Sequence, residues 1–303
     1  MTNFVLIFLC MGVGMLLSKK KLVPPDAYKS VNVWLIYVAL PSLALRYIPA
    51  VEWNFSILIS ILGPILVWAG AWMFVRIYDR KKKLSTGSHT ALLITCGLGN
   101  TAFIGFPMIA AFYGENQIRH AVVFDQVTFI LFSTVGVITI LRTSAESSEK
   151  ISFSYIFGKV LSFPPLVACI LALGLPFFMD ISFATPLLDK LVATMSPLAL
   201  FSIGLQLKLG AFRQEWKLLT AGLMYKLVMA PCLVLLLALF IQTTGDLARI
   251  SVFEAGMSSH ITASLLASQY GLNPRYCSLI VGSGILISFV SSVCWYFISN
   301  FIF

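Results

Sequence analysis

The sequence contains little charge. Only 11% of its 303 residues are Asp, Glu, Lys or Arg, whereas 59% are hydrophobic and the mean hydropathy is +0.92. A soluble domain cannot bury that much apolar surface. The chain also has no long polar stretch in which a separate soluble domain could fold. The composition therefore excludes an ordinary soluble protein and indicates an integral membrane protein.

The sequence also lacks the common motifs of catalysis and of metal binding. It contains no Walker A, GxSxG or HExxH pattern and no other metal-ligand cluster. Its six cysteines lie inside apolar segments without CxxC spacing, which favours small packing residues over a disulfide framework or a metal site. We therefore predict a protein that is not an enzyme and has no cofactor, and that does not use ATP to drive pumping.

Long apolar runs recur from end to end of the chain, separated by short polar breaks. Runs of about 20 apolar residues are what a hydrocarbon layer of about 30 Å requires of a membrane-spanning helix. The pattern predicts an all-α protein of ten transmembrane helices, at 3–18, 30–50, 55–78, 89–113, 118–141, 154–178, 185–207, 217–241, 247–270 and 276–300.

The net charge of +9 arises from basic residues that lie mostly in alternate loops, those after spans 1, 3, 5, 7 and 9. By the positive-inside rule these loops are cytoplasmic, so both termini are predicted on the outer side of the cytoplasmic membrane. The first apolar run is predicted to be a retained helix, because three lysines follow it and no basic residue precedes it. The distribution of charge therefore indicates how the chain is oriented in a lipid bilayer. No nucleic-acid partner is predicted.

The loop RTSAESSEK at 142–150 divides the chain into halves, 1–145 and 146–303, of five spans each. An odd number of spans per half places the halves in opposite orientations, which is the arrangement of inverted repeats in secondary carriers. Tyr113-Gly114 ends span 4 and Tyr270-Gly271 ends span 9, and ALPSLAL in span 2 is similar to MSPLAL in span 7. These matches favour an internal repeat.

Span 4 contains an unusual concentration of residues that interrupt helices. Glycine permits non-helical backbone, and proline removes a backbone donor. The interrupting residues surround Asn100 and Thr101, and they are Gly97, Gly99, Gly105 and Pro107. The pattern predicts two half-helices that meet near the membrane midplane, with a half-helix starting near Pro107 whose positive end suits a carboxylate. A simple packing kink is the alternative interpretation.

Two stretches carry a resemblance to a known family. GLGNTAFIGFPMIAAFYGE in span 4 and SPLALFSIGLQL in span 7 resemble segments of the auxin efflux carrier family, in its prokaryotic members. The resemblance implies inverted repeats of five helices and a homodimer. It also implies a scaffold of spans 1, 2, 6 and 7 and a transport domain of spans 3–5 and 8–10. The site is expected where broken spans 4 and 9 cross, and transport is expected to follow an elevator mechanism.

Span 9 departs from the family's pattern, which usually has a proline near the break. The equivalent stretch here has Gly256, Ser258 and Ser259. Serines can still loosen a helix through local hydrogen bonds. We therefore expect Ser258, Ser259 and the following His260 to contribute to the substrate site together with Asn100, Thr101, Gly105 and Pro107.

Three charged side chains lie well inside predicted spans, about two turns or more from either end: Asp125 in span 5, Lys226 in span 8 and Glu254 in span 9. Because a charge in a bilayer is costly, such residues face the protein interior and are candidates for function. The two carboxyls could carry a coupling proton, since burial disfavours their charged form, or either could form an ion pair with Lys226.

These features favour a secondary carrier for a small organic anion over two rivals. A channel would need a continuous polar pore, and a membrane sensor would need a larger output surface than these short loops supply. The resemblance implies carboxylate substrates, and the residues themselves do not separate one carboxylate from another.

Overall fold

The structure is a computed structural model that describes residues 2–51, 54–144, 158, 163–180, 182–207 and 215–303. Most of the predicted middle loop and of the first part of span 6 lies outside these residues, as does the segment 208–214. No β-strand occurs in the described ranges. The longer helical stretches are α1 (Thr2–Lys19), α2 (Ala27–Ala50), α3 (Phe55–Lys82), α4 (Thr86–Gly97), α5 (Thr101–Phe112), α6 (Val122–Thr143), α7 (Pro164–Phe177), α8 (Thr185–Gln206), α9 (Trp216–Phe240), α10 (Gly245–Ala255), α11 (Ile261–Gln269) and α12 (Pro274–Ile302).

Six of these helices are long and apolar enough to cross a membrane: α2, α3, α6, α8, α9 and α12. They correspond to predicted spans 2, 3, 5, 7, 8 and 10. Helix α1 has 18 residues, and α7 is the described part of span 6. Spans 4 and 9 each correspond to two shorter helices in succession, α4 with α5 and α10 with α11. The chain is therefore an all-helical, multi-pass membrane protein.

The helices pack in two groups. In the first group α1 packs on α8, and α2 packs on both α7 and α8. Helices α1 and α8 approach closely at Gly14 and Gly204, where any side chain would collide with the facing backbone. Small residues allow this close packing of helices inside a bilayer.

The second group is built around the four short helices. Helix α3 packs on α4, α6 and α9, while α12 packs on α10 and α11, and α4 packs directly on α11. Many large apolar side chains on the outer faces of both groups are exposed, including Phe297 and Phe301 of α12. In a bilayer those faces contact lipid, and the polar groups that lie at membrane depth face inward.

Candidate functional site

The helical chain of span 4 is interrupted between Gly97 and Thr101. Helix α4 ends at Gly97, against which the Trp68 ring packs so closely that a side chain there would collide. Leu98 is extended, with φ −118° and ψ 125°. Helix α5 begins at Thr101, so the interruption precedes Pro107, which lies in the second turn of α5 near the start of its α-helical part. The half-helix therefore begins earlier than the expected start near Pro107.

Span 9 is also interrupted. Helix α10 ends at Ala255, Gly256 is its C-cap, and α11 begins at Ile261. His260 is the N-cap of α11, and its ring nitrogen Nδ1 accepts a hydrogen bond from the Ala263 amide at 3.3 Å. A capping side chain thus satisfies the start of this half-helix without a proline.

The two interrupted segments cross and pair with each other. Gly99 and Ser259 form an isolated antiparallel bridge. The Asn100 amide donates to the Ser258 carbonyl at 2.8 Å, and the His260 amide donates to the Leu98 carbonyl at 3.0 Å. The Ser259 hydroxyl adds a bond to the Thr95 carbonyl at 2.8 Å. Backbone groups that lipid could not satisfy are therefore satisfied by the opposite segment.

A cavity of about 320 Å³ lies beside this crossing, between the two groups of helices. The first group contributes Ile36, Leu40 and Phe163 to its wall. The polar part of the wall comes from the second group and includes Asn100, Asp125, Ser133, His260, Thr262 and Gln269, while most of the remaining wall is aromatic or aliphatic. The volume is at the lower end of the range for small-molecule sites.

Two uncharged donors of the crossing have no hydrogen-bond acceptor among the residues that the structure describes, and they belong to residues of the cavity wall. Asn100 is 5% exposed, and its amide nitrogen Nδ2 has no hydrogen-bond partner. Because Nδ1 of His260 accepts the capping bond, the neutral ring carries its proton on Nε2, which is a donor. The ring stacks on Phe132 with 5.0 Å between centroids. The Ile261 and Thr262 amides are further donors, since the first amides of a helix have no acceptor within it and only the Ala263 amide is bonded by His260.

Asp125 is the acidic group of the cavity wall. Its Oδ1 accepts from the Thr101 hydroxyl at 2.5 Å, and its Oδ2 accepts from the Gln126 amide at 3.1 Å. Thr101 therefore takes part through Asp125 and does not line the cavity itself.

A second polar cluster lies behind the crossing and does not line the cavity. Glu254 is fully buried, and neither of its carboxyl oxygens has a hydrogen-bond partner. Its oxygens lie against Gly105, where a Cβ would be only 2.5 Å from Oε2. The Lys226 ammonium donates to the Ala255 carbonyl at 2.8 Å and lies 3.0 Å from the Cβ position of Gly99. Lys226 thus binds the carboxyl end of α10 and makes no hydrogen bond to either carboxyl group.

Four of the described helices contain one π-helical turn each, and three of these turns reach the cavity wall. A π turn carries an extra residue and is frequent at functional sites. The turns are Leu35–Ala39, Thr101–Gly105, Phe132–Gly136 and Tyr225–Met229. The first three contribute Ile36, Phe103 and Phe132 to the cavity, and the fourth carries Lys226.

The structure brings together some of the residues singled out in the sequence and separates others. Asn100, Asp125 and His260 share the cavity, whereas Ser258 is buried in the crossing. Pro107 lines a different cavity of about 300 Å³, next to the ion pair of Arg46 and Asp189. Sequence reasoning missed the aromatic wall, namely Phe103, Phe129, Phe132 and Phe163, because phenylalanines are frequent throughout the apolar spans.

Comparison with known proteins yields one family and several distant relatives. The sequence pattern of the family described as membrane transport protein, which is the auxin efflux carrier family, matches residues 1–296. An uncharacterised transporter of Methanothermobacter thermautotrophicus is 25% identical over 72% of this chain and 71% of the relative. Another, from Methanocaldococcus jannaschii, is 25% identical over 86% and 84% of the two chains. Auxin efflux carrier component 5 of Arabidopsis thaliana is 23% identical over 68% and 69%.

Proposed function

Because this chain belongs to the auxin efflux carrier family of membrane transport proteins, we propose that it is a secondary carrier that moves a small organic anion, a carboxylate, across the cytoplasmic membrane. The observation that carries this proposal is the cavity at the crossing, whose polar wall contains Asn100, a residue whose side-chain amide nitrogen has no hydrogen-bond partner. The family is one of transporters and not of enzymes.

The carboxylate group binds at the start of α11. There it accepts hydrogen bonds from Nδ2 of Asn100, from Nε2 of His260 and from the free amides of the first helical turn. The positive ends of α5 and α11 add a favourable electrostatic contribution, as half-helix ends do in other secondary carriers. The aromatic wall then holds the apolar body of the substrate.

The mechanism we propose is elevator-type alternating access, in a protein of ten spans built as two inverted repeats, 1–145 and 146–303. Two features support the repeats. First, Gly114 and Gly271 each follow a tyrosine at the end of a helix, and both glycines have positive φ, +96° and +74°. Second, the two interrupted segments pair with each other. The first group of helices is the scaffold and homodimer interface, and the second group is the moving domain. The cavity between the groups suits this division.

The conformation is the inward-facing one if the basic loops are cytoplasmic. The cavity extends along α6 and α11 to Val137 and Gln269, toward the side where Arg142 and Arg275 lie. On the opposite side, α5 packs on α1 and α8, and the Asn3 amide donates to the Ala110 carbonyl at 2.7 Å. Both termini then face outward.

Glu254 is the group we propose for proton coupling. Its buried oxygens lack partners and lie near the carboxyl end of α10, where a negative charge is unfavourable. The charged groups that act on it are Lys226 and Asp125. We expect an inward-acidic or inward-alkaline pH gradient to change the flux of the wild type, and we expect Glu254→Gln to remove that dependence while exchange continues. Equal gradient dependence in both proteins would contradict proton coupling at Glu254.

A flux screen over carboxylates in proteoliposomes tests the function itself. A carrier shows counterflow, in which unlabelled substrate inside the vesicle accelerates entry of labelled substrate. Single-channel currents far above carrier turnover would instead identify a channel. Binding of a carboxylate without any flux would identify a sensor.

A further inference from the structure

Asp125 lies in the cavity wall with part of its hydrogen-bonding capacity unused. A carboxylate offers about four acceptor directions. Two of them are taken by Thr101 and Gln126, and the side chain is 7% exposed at the cavity. The amide oxygen of Gln126 is also buried without a donor. Both side chains therefore have acceptor capacity that no donor of the described residues uses.

The wall supplies no cation to pair with this carboxylate. No lysine or arginine occurs among the described residues that line the cavity. The buried ammonium of Lys226 is committed to the Ala255 carbonyl and lies outside the cavity wall. An uncompensated charge in a buried site is costly. A ligand that donates a hydrogen bond to Asp125 therefore binds more tightly than a similar ligand without a donor.

The aromatic part of the wall cannot meet this need. Phe103, Phe129 and Phe132 present aromatic rings, and Phe129 stacks on Phe163 with 3.4 Å between centroids. These rings donate no hydrogen bond to Asp125, and a ligand in the cavity can supply one. The neutral donors of Asn100 and His260 in the same wall suit the carboxylate of the same ligand.

From these contacts we propose that Asp125 is a specificity-determining residue that selects carboxylates whose body also carries a hydrogen-bond donor, either a hydroxyl or an amino group. This proposal rests on the proposed function, because it assumes that the carboxylate binds at Asn100 and His260. A site with a fixed buried acceptor strongly rejects analogues that lack the matching donor.

Four related acids test the proposal by titration calorimetry on the purified protein. The acid 3-phenylpropanoate has no donor on its body. Phenyllactate adds a hydroxyl, phenylalanine adds an amino group, and 3-(4-hydroxyphenyl)propanoate adds a hydroxyl at the far end. We expect at least one donor-bearing acid to bind about ten- to a hundredfold tighter than 3-phenylpropanoate, as a hydrogen bond to a charged group allows. A tighter fit of phenylalanine than of phenyllactate would identify an ammonium partner, and the reverse a hydroxyl.

Asp125→Asn keeps the shape of the side chain and removes its charge. We expect it to reduce the advantage of the donor-bearing acid to threefold or less while 3-phenylpropanoate still binds. Asp246→Asn is the matched control, because Asp246 bonds to Gln117 and Arg249 away from the cavity and should leave the selectivity unchanged.

Several results would overturn the proposal, and they can be told apart. Equal affinity of the wild type for all four acids, or selectivity that survives in Asp125→Asn, would refute the role of Asp125 and leave the proposed function standing. Tightest binding of 3-phenylpropanoate, with a proton taken up per molecule in the wild type but not in Asp125→Asn, would make Asp125 a protonation site. Absence of both binding and flux for every acid in a wider carboxylate screen would refute the proposed function as well.

Discussion

At the scale of single residues, the packing of Glu254 against Gly105 explains why a glycine stands in the first turns of α5. Gly105 has φ −57° and ψ −54°, an ordinary helical conformation that every residue can adopt. What the position requires is space, because the Glu254 carboxyl group fills the place of a side chain.

Gly105→Ala should therefore destabilise the protein. The new methyl group would lie within 2.6 Å of both Glu254 oxygens, so this fully buried carboxyl group would have to shift among packed side chains. Overpacking of this kind typically costs about 1–3 kcal/mol. Thermal unfolding of the detergent-purified variant measures the loss.

Gly12→Ala is the matched control, since nothing lies within 4 Å of its Cβ position on α1. Alanine should be neutral or slightly stabilising there because of its better helix propensity. Adding Glu254→Ala to Gly105→Ala should recover much of the loss. An unchanged melting temperature for Gly105→Ala would show that the packing at this position is looser than described.

The sequence predicts the position of some of these side chains in the site and not of others. Asn100, Asp125 and His260 are polar groups in apolar spans, so they were recognisable as candidates and they share one cavity. The alternative of an ion pair between Lys226 and a carboxyl group does not match the structure, in which Lys226 donates to a backbone carbonyl. That choice depends on the distance between helices far apart in sequence, which the local pattern does not contain.

At the scale of secondary-structure elements, the two crossing segments are non-helical and are hydrogen-bonded to each other. The amides of Asn100 and His260 both donate to the opposite segment, and the side chains around them are largely buried. These hydrogen bonds hold the ends of the four short helices together.

Hydrogen–deuterium exchange should therefore be slow at 98–100 and 258–260 despite the absence of helix. We expect protection at Asn100 and His260 comparable to that of the flanking helices and about a hundredfold greater than in the exposed turn at 114–116. Mass spectrometry of peptic fragments that cover these segments provides the measurement. Exchange at the rate of the exposed turn would contradict a paired crossing.

The observed helices agree with the sequence-based prediction where the length of an apolar run determines a span. They differ from it where hydrogen bonds between segments determine where a helix begins. Helices α2, α3, α6, α8, α9 and α12 coincide with predicted spans. The start of α5 at Thr101, in contrast, is set by pairing of Asn100 with Ser258 on span 9. The π turns are likewise invisible in the sequence, because one extra residue per turn leaves the apolar pattern almost unchanged.

At the scale of the whole molecule, the distribution of basic residues predicts which loops face the cytoplasm. In a variant whose six cysteines are replaced by alanine, Glu115→Cys should react with a membrane-impermeant maleimide in intact cells. Lys81→Cys should react only after permeabilisation. Both positions are exposed in the structure, so a difference in labelling reports membrane sidedness. The reverse pattern would contradict the outward position of both termini and the inward-facing state.

The division into two groups of helices is a property of long-range packing. Composition predicts spans and sidedness, since each depends on one segment at a time. The cavity is lined by Ile36 and Leu40 of α2 and by Asn100 and His260 of the crossing, and only the folded chain brings those segments together.

The most direct test of the carboxylate site is the flux of the acid identified in the screen through Asn100→Ala, compared with Asn300→Ala. Asn300 is an exposed asparagine at the end of α12 whose amide bonds to the Tyr296 carbonyl, so its loss should not affect transport. Removal of Nδ2 of Asn100 should lower kcat/KM by about tenfold or more, the value of a hydrogen bond to a charged group. Full transport by Asn100→Ala would contradict the carboxylate site at the crossing.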